Sequence, residues 1–248
     1  MTEILKTTDE TGNLETSKSS SRRSFIKLSS AAVLTAFAFG ALNPESLLAK
    51  DAFSGLPIEN DKSSSVDLGK GDTGVLNYAY ALEQLEAAFY SQVISTPYSG
   101  MSSAERAILT DIRDHEIAHR ELFKTALGKK AIPGLQVNFT SINFGSRDSV
   151  LGTAKTFEDL GVSAYNGAGQ LLKDVNFLLL AGKIVSVEAR HAATIRDLIS
   201  PMSAAFAGDD AVHSSGLDKA RTPLEVLTAA APFIRTPVTA KKLPKPKN

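Results

Sequence analysis

Cysteine is absent from the 248 residues, which removes disulfides, thiolate zinc sites and cysteine-ligated iron–sulfur clusters from consideration. Any metal would have to be held by His, Asp and Glu, a hard set of oxygen and nitrogen donors. Excess charge is absent as well: 27 basic residues balance 27 acidic ones, so bulk electrostatics indicates neither a nucleic-acid surface nor a broadly acidic partner. The mildly apolar run from Leu28 to Leu42 is shorter than the ~20 residues of a membrane-spanning helix. No glycine-rich loop has the preceding strand and internal Lys that a phosphate cradle needs, and no serine nucleophile elbow is present. The three methionines, Met1, Met101 and Met202, fall on no inward face of the helices described next, which leaves a methionine-ligated haem unsupported.

What is present begins with a targeting signal. Ser21-Arg22-Arg23-Ser24-Phe25-Ile26-Lys27 resembles the twin-arginine export motif, with Ile where Leu is commoner, and it precedes the Ala-rich run. Ser46-Leu47-Leu48-Ala49 offers Ala at the last place of a cleavage site and Leu where a small residue is preferred. Residues 1–50 are therefore expected to direct the chain through the twin-arginine machinery to the periplasm or another extracytoplasmic space. That route carries folded proteins and suits one that takes up its cofactor before crossing.

Residues 51–71 are rich in Ser, Gly and Pro and read as a linker. A helical pattern runs from Asp72 to Pro97. A capping box, Ser102-Ser103-Ala104-Glu105, opens a second helix expected to reach Gly128. A long crossover leads to a third helix near Ser149, whose Gly161, Gly167 and Gly169 predict a bend or an early end. Asp174 caps a fourth helix that reaches Pro201, which closes a bundle over 72–200. In the extension 201–235, Thr222-Pro223-Leu224-Glu225 opens a short helix, and residues 236–248 read as a basic, disordered tail.

The second and fourth helices repeat one another. Ile112, Glu116, His119, Phe123 and Leu127 recur 72 residues later as Ile184, Glu188, His191, Ile195 and Ile199, on one helical face. The first and third match at an offset of 75, with Leu76, Ala79, Glu83, Ala87 and Tyr90 recurring as Leu151, Ala154, Glu158, Val162 and Tyr165. Two hairpins in series, packed about an approximate two-fold axis, bring four carboxylates and two imidazoles to one level of a four-helix bundle. One Glu from each of two helices and a Glu-x-x-His from each of the others is the ligand pattern of di-iron and di-manganese carboxylate bundles. Four carboxylates and two divalent cations sum to zero, whereas the carboxylates alone would repel one another or take up protons.

Leu76 to Tyr90 (LNYAYALEQLEAAFY), Asp114 to His119 (DHEIAH) and Val187 to Ala193 (VEARHAA) resemble the exported ferritin-like domain family, whose relatives include desiccation-related proteins. Gly161 to Ala168 and the terminal LEVLTAAAPFI are similar to it too. The resemblance implies an all-α, ferritin-like four-helix bundle of two hairpins joined by a long crossover, with a short C-terminal helix. It also implies Glu83, Glu116, His119, Glu158, Glu188 and His191 as metal-binding and catalytic residues for two divalent ions, iron or manganese. Glu83 and Glu158 would cap single ions, Glu116 and Glu188 would bridge, and the histidines would supply nitrogen. The expected activity is ferrous-iron oxidation or consumption of O2 or peroxide. The alternative is a stress or desiccation protein whose metal only stabilises the bundle. Nucleic acid is excluded as a partner for want of a basic stripe in the mature chain, and a homo-oligomer is left open. Of the other polar residues, Glu86 reads as an extra ligand, a neighbour of a ligand or a solvated acid. Tyr90 and Tyr165 read as partners of ligand carboxylates, as carriers of electrons or as core tyrosines. His115 points about 100° from Glu116, towards the surface or a ligand's outer side, and His213 lies in an exposed loop.

Overall fold

Four long helices form because each carries a cap at its start or an apolar face to bury. The structure, a computed structural model, describes residues 65–245; the expected export signal and the expected linker as far as residue 64 lie outside the described residues. The helices are α1 (Gly71–Ser95), α2 (Ser103–Leu127), α3 (Arg147–Gly169) and α4 (Val175–Ile199), with a short α5 (Pro223–Ala230) behind them. The Ser102 hydroxyl accepts from the Glu105 backbone N–H while the Glu105 side chain reaches back, the reciprocal box expected at the start of α2. Thr222 and Glu225 form the same box at α5, with Pro223 in its first turn. Ser146 and Asp174 cap α3 and α4. Among the described residues, no helix is long and apolar enough to cross a membrane.

α1 packs chiefly on α2 and α3 chiefly on α4, and the two hairpins meet through α1 against α3 and α2 against α4. The all-α bundle of two hairpins is thus the architecture of the described residues. α1 is the innermost element, buried without interruption from Gly74 to Ala87. Its outer side is covered by the crossover, whose Phe139 and Phe144 pack on Phe89 at ring-centroid distances of 6.0 and 5.9 Å. Two buried amides of α1 hold the crossover by its backbone. Asn77 accepts from the Ile132 N–H at 3.0 Å and donates to the Leu68 and Lys130 carbonyls at 3.1 and 3.0 Å, and Gln84 accepts from the Leu135 N–H at 2.8 Å. These bonds satisfy loop backbone groups that burial would otherwise leave orphaned.

α3 neither ends early at its glycines nor gives way to another element there, and runs unbroken to Gly169. Two of them serve close approach. A Cβ at Gly167 would lie 1.8 Å from the Arg221 carbonyl oxygen, and one at Gly161 would lie 3.1 Å from Glu86 Oε1. The segment before α5 is laid along α3 there, with the Arg221 N–H on the Ser163 carbonyl at 2.9 Å. Helix propensity counts only the local cost of glycine and so missed what glycine admits.

The expectation of a loose linker and a disordered tail needs correcting where the two are described. Strand β1 (Val66–Asp67) pairs in parallel with β2 (Val238–Thr239), Lys242 Nζ contacts Asp67 Oδ2 at 2.5 Å, and Leu68 is fully buried. Two-residue strands show no period to read. One further departure concerns the repeat: Ile199, expected on the buried face of α4, is 40 % exposed at its last turn.

Candidate metal centre

The five-residue faces bring the six candidate side chains to one level inside the bundle. Glu83, Glu116, Glu158 and Glu188 are buried, as is His191, while the His119 side chain is 13 % exposed. They form two overlapping groups: Glu83, Glu116, His119 and Glu188, and Glu116, Glu158, Glu188 and His191. In each group the donor atoms lie within 4.8 Å of one another. Glu116 and Glu188 belong to both. His119 Nδ1 is 2.8 Å from Glu188 Oε1, 3.5 Å from Glu83 Oε2 and 3.7 Å from Glu116 Oε2. His191 Nδ1 is 2.8 Å from Glu116 Oε1, 3.3 Å from Glu188 Oε2 and 3.6 Å from Glu158 Oε2.

Most of those atoms lie close together without completing hydrogen bonds to one another. Glu83 Oε2, both Glu116 oxygens, Glu158 Oε2, Glu188 Oε1 and His119 Nδ1 are buried without a hydrogen bond, even though His119 Nδ1 and Glu188 Oε1 are only 2.8 Å apart. Buried polar atoms are rarely left so, and a cluster of them facing inward is what cations between the helices would satisfy. The donor set, oxygen-rich with one nitrogen per group, fits iron or manganese better than copper. The residues present therefore fit a pair of hard divalent ions.

The outward oxygens are held from across the bundle. Tyr90 of α1 donates its hydroxyl to Glu158 Oε1 of α3, and Tyr165 of α3 donates to Glu83 Oε1 of α1. Each tyrosine thus steadies the carboxylate of the other hairpin and leaves that carboxylate's second oxygen facing inward. Outer partners of this kind orient the groups that touch a metal.

Without ions the centre must share protons. Burial raises Glu83 and Glu158 to about 8, against the opposing charges of His119 and His191 respectively. Glu116 goes the other way: burial would raise it, but the imidazoles of His119 and His191 beside it outweigh that and hold it below the usual carboxylate range. Burial works against protonated imidazoles, yet the surrounding carboxylates, led by Glu83 for His119 and Glu158 for His191, hold both well above their ordinary value.

Glu86 is neither a solvated acid nor part of either donor group. It is 4 % exposed and lines a small cleft with Leu82, Leu85, Phe157, Leu160 and Gly161. Burial first, and then the charge of Glu116, raises it well above the usual carboxylate range, so it enters the core as a neutral acid. By the offset of 75 its counterpart is Gly161: one hairpin supplies the side chain and the other the space. His115 is half-buried, with its Nδ1 2.9 Å from His191 Nε2. Helical spacing separates it from Glu116 but gives no sign that another helix's ligand lies in its path. His213 is exposed in its loop, as expected.

The profile of the family described as a ferritin-like domain matches residues 71–201, just over half of the chain and all four long helices. No curated protein matches the chain.

Proposed function

Since the chain belongs to the ferritin-like domain family, we propose that it is an exported di-metal carboxylate protein that oxidises ferrous iron or consumes O2 or peroxide in its core. The observation that carries this reading is the pair of donor groups sharing Glu116 and Glu188. Two groups with two members in common are suited to two neighbouring ions bridged by carboxylates, and the four acids would neutralise both. Glu83 and Glu158 would each hold one ion, steadied by Tyr165 and Tyr90. His119 and His191 would supply one nitrogen apiece. Bound there, iron or manganese would supply one-electron redox chemistry.

Phe89, Phe123, Phe157 and Ile195 are buried in the same core. A cavity of about 20 Å³ lies against Tyr165, Phe123, Leu82 and Phe177. It has room for one water-sized molecule and touches the centre through Tyr165, with none of the six donors lining it. Export by the twin-arginine route to an extracytoplasmic space is part of the same proposal: Arg22 and Arg23 stand in a matching motif, and a core closed around its ions is best loaded before transport.

The test is metal content of the exported protein by elemental analysis, followed by ferrous oxidation and peroxide consumption. Two ions per chain with turnover are expected. Glu116→Ala, which removes a member of both groups, should lose most of the metal and the turnover, while Glu83→Ala should lose chiefly one ion. Activity that survives Glu116→Ala would remove this site from the reaction. Bound metal without turnover in the unaltered protein would favour a purely stabilising role.

A further inference from the structure

The two halves of the centre are near copies: a carboxylate steadied by tyrosine, two shared carboxylates and one histidine. They differ on the outer side of the histidines. His191 turns Nδ1 to the carboxylates at 2.8–3.6 Å and Nε2 to His115 Nδ1 at 2.9 Å. The two ring planes lie within 10° of each other with centroids 5.2 Å apart. That separation is about the nitrogen contact plus both ring radii, so the rings meet edge to edge in a common plane, as an N–H···N bond requires, and are not stacked face to face. At the position equivalent to His115, 72 residues on, stands Val187, which has no nitrogen or oxygen to offer His119.

A neutral imidazole carries its single proton on one nitrogen or the other, and the hydrogen bond made by the outer nitrogen decides which. An ion takes the Nδ1 lone pair, which puts the proton on Nε2. His115 Nδ1 is placed to accept that proton's hydrogen bond and to fix the ring's rotation. Among the described residues, His119 has no equivalent imidazole to set its tautomer and rotation in this way.

Resting on the two-ion reading above, we propose that His115 is a positioning residue that keeps His191 in the form that ligates through Nδ1, making the Glu116–Glu158–Glu188–His191 position the tighter of the two. The experiment is a calorimetric titration of the full-length, metal-free protein with Mn(II) alone. Two unequal steps of one ion each are expected. His115→Leu should weaken the tighter step by roughly 10- to 100-fold, as removal of a ligand's outer partner does, and leave the other step in place. His115→Asn, whose Oδ1 can stand where Nδ1 stood, should restore most of the loss.

Equal steps in the unaltered protein, an unchanged isotherm for His115→Leu, or a parallel fall of both steps would each overturn the proposal. If the leucine variant does not fold, long-range proton–nitrogen NMR of the Zn(II)-loaded unaltered protein decides. A protonated Nε2 and a zinc-shifted Nδ1 on His191 support the inference, and ligation through Nε2 overturns it. Absence of any Mn(II) or Zn(II) binding would bring down the two-ion reading as well, whereas two ions bound with no effect of His115→Leu would sink this inference alone.

Discussion

The Tyr90 hydroxyl is fully buried and directed at Glu158 Oε1, so Tyr90→Phe leaves a buried acceptor without its donor. That change should cost about 1–3 kcal/mol of stability, read as a lower urea midpoint for the metal-free protein; an unmoved midpoint would show that the bond contributes nothing. The acids make a second prediction, about pH. Glu83 and Glu158 titrate near 8 in the fold against 4.5 when unperturbed, so the folded chain holds their protons more tightly than the unfolded chain does. Stability from this source is fully present below pH 4.5 and is lost as pH rises towards 8. The melting temperature in EDTA should therefore fall across that window. Ions bound as proposed would displace the same protons, so loading at pH 7 should release about two from these acids, besides those of the imidazoles. Titration in buffers of different ionisation enthalpy counts them, and release near zero would contradict the buried, protonated pair. At this scale the six donors could be read from the repeat because apolar neighbours on the same face announced their direction. The partner of His115 could not, because it lies on another helix and no local spacing encodes it.

At the scale of the helix, glycines separate local propensity from packing. Gly152 is exposed on α3 with nothing near where a Cβ would go, so Gly152→Ala should stabilise the protein by about 0.5–1 kcal/mol. Gly167, on the same helix, faces the Arg221 carbonyl at 1.8 Å from such a Cβ, and Gly167→Ala should destabilise by about 1–3 kcal/mol as the segment before α5 is pushed off. Melting curves of the two variants should move in opposite directions. A shared rise would mean that the segment yields freely. The starts of the helices were legible because capping residues such as Ser102 with Glu105, Thr222 with Glu225, and Asp174 act within one turn. The continuity of α3 was not, because the groups that make its glycines useful lie far along the chain.

For the whole molecule, the two ends of the described chain act together. Leu68 is fully buried beside a two-strand pairing that draws on both ends. Leu68→Ala should cost about 2–5 kcal/mol, and removal of residues 236–248 should lower the melting temperature in the same direction. A truncated chain that melts like the full one would show the tail to be passive. The hairpins and their crossover were legible from the offset repeat, but the crossover's anchoring by Asn77 and Gln84 was not, since their partners are backbone groups 49–55 residues away. Each donor group draws on both hairpins, so ions bound there would rivet the seam between them, and a chain starved of metal would part along that seam first. Proteases would reach such a chain sooner than a loaded one. The supply of metal would then govern how long each copy survives, and the protein's abundance would track that supply with no need of a genetic switch.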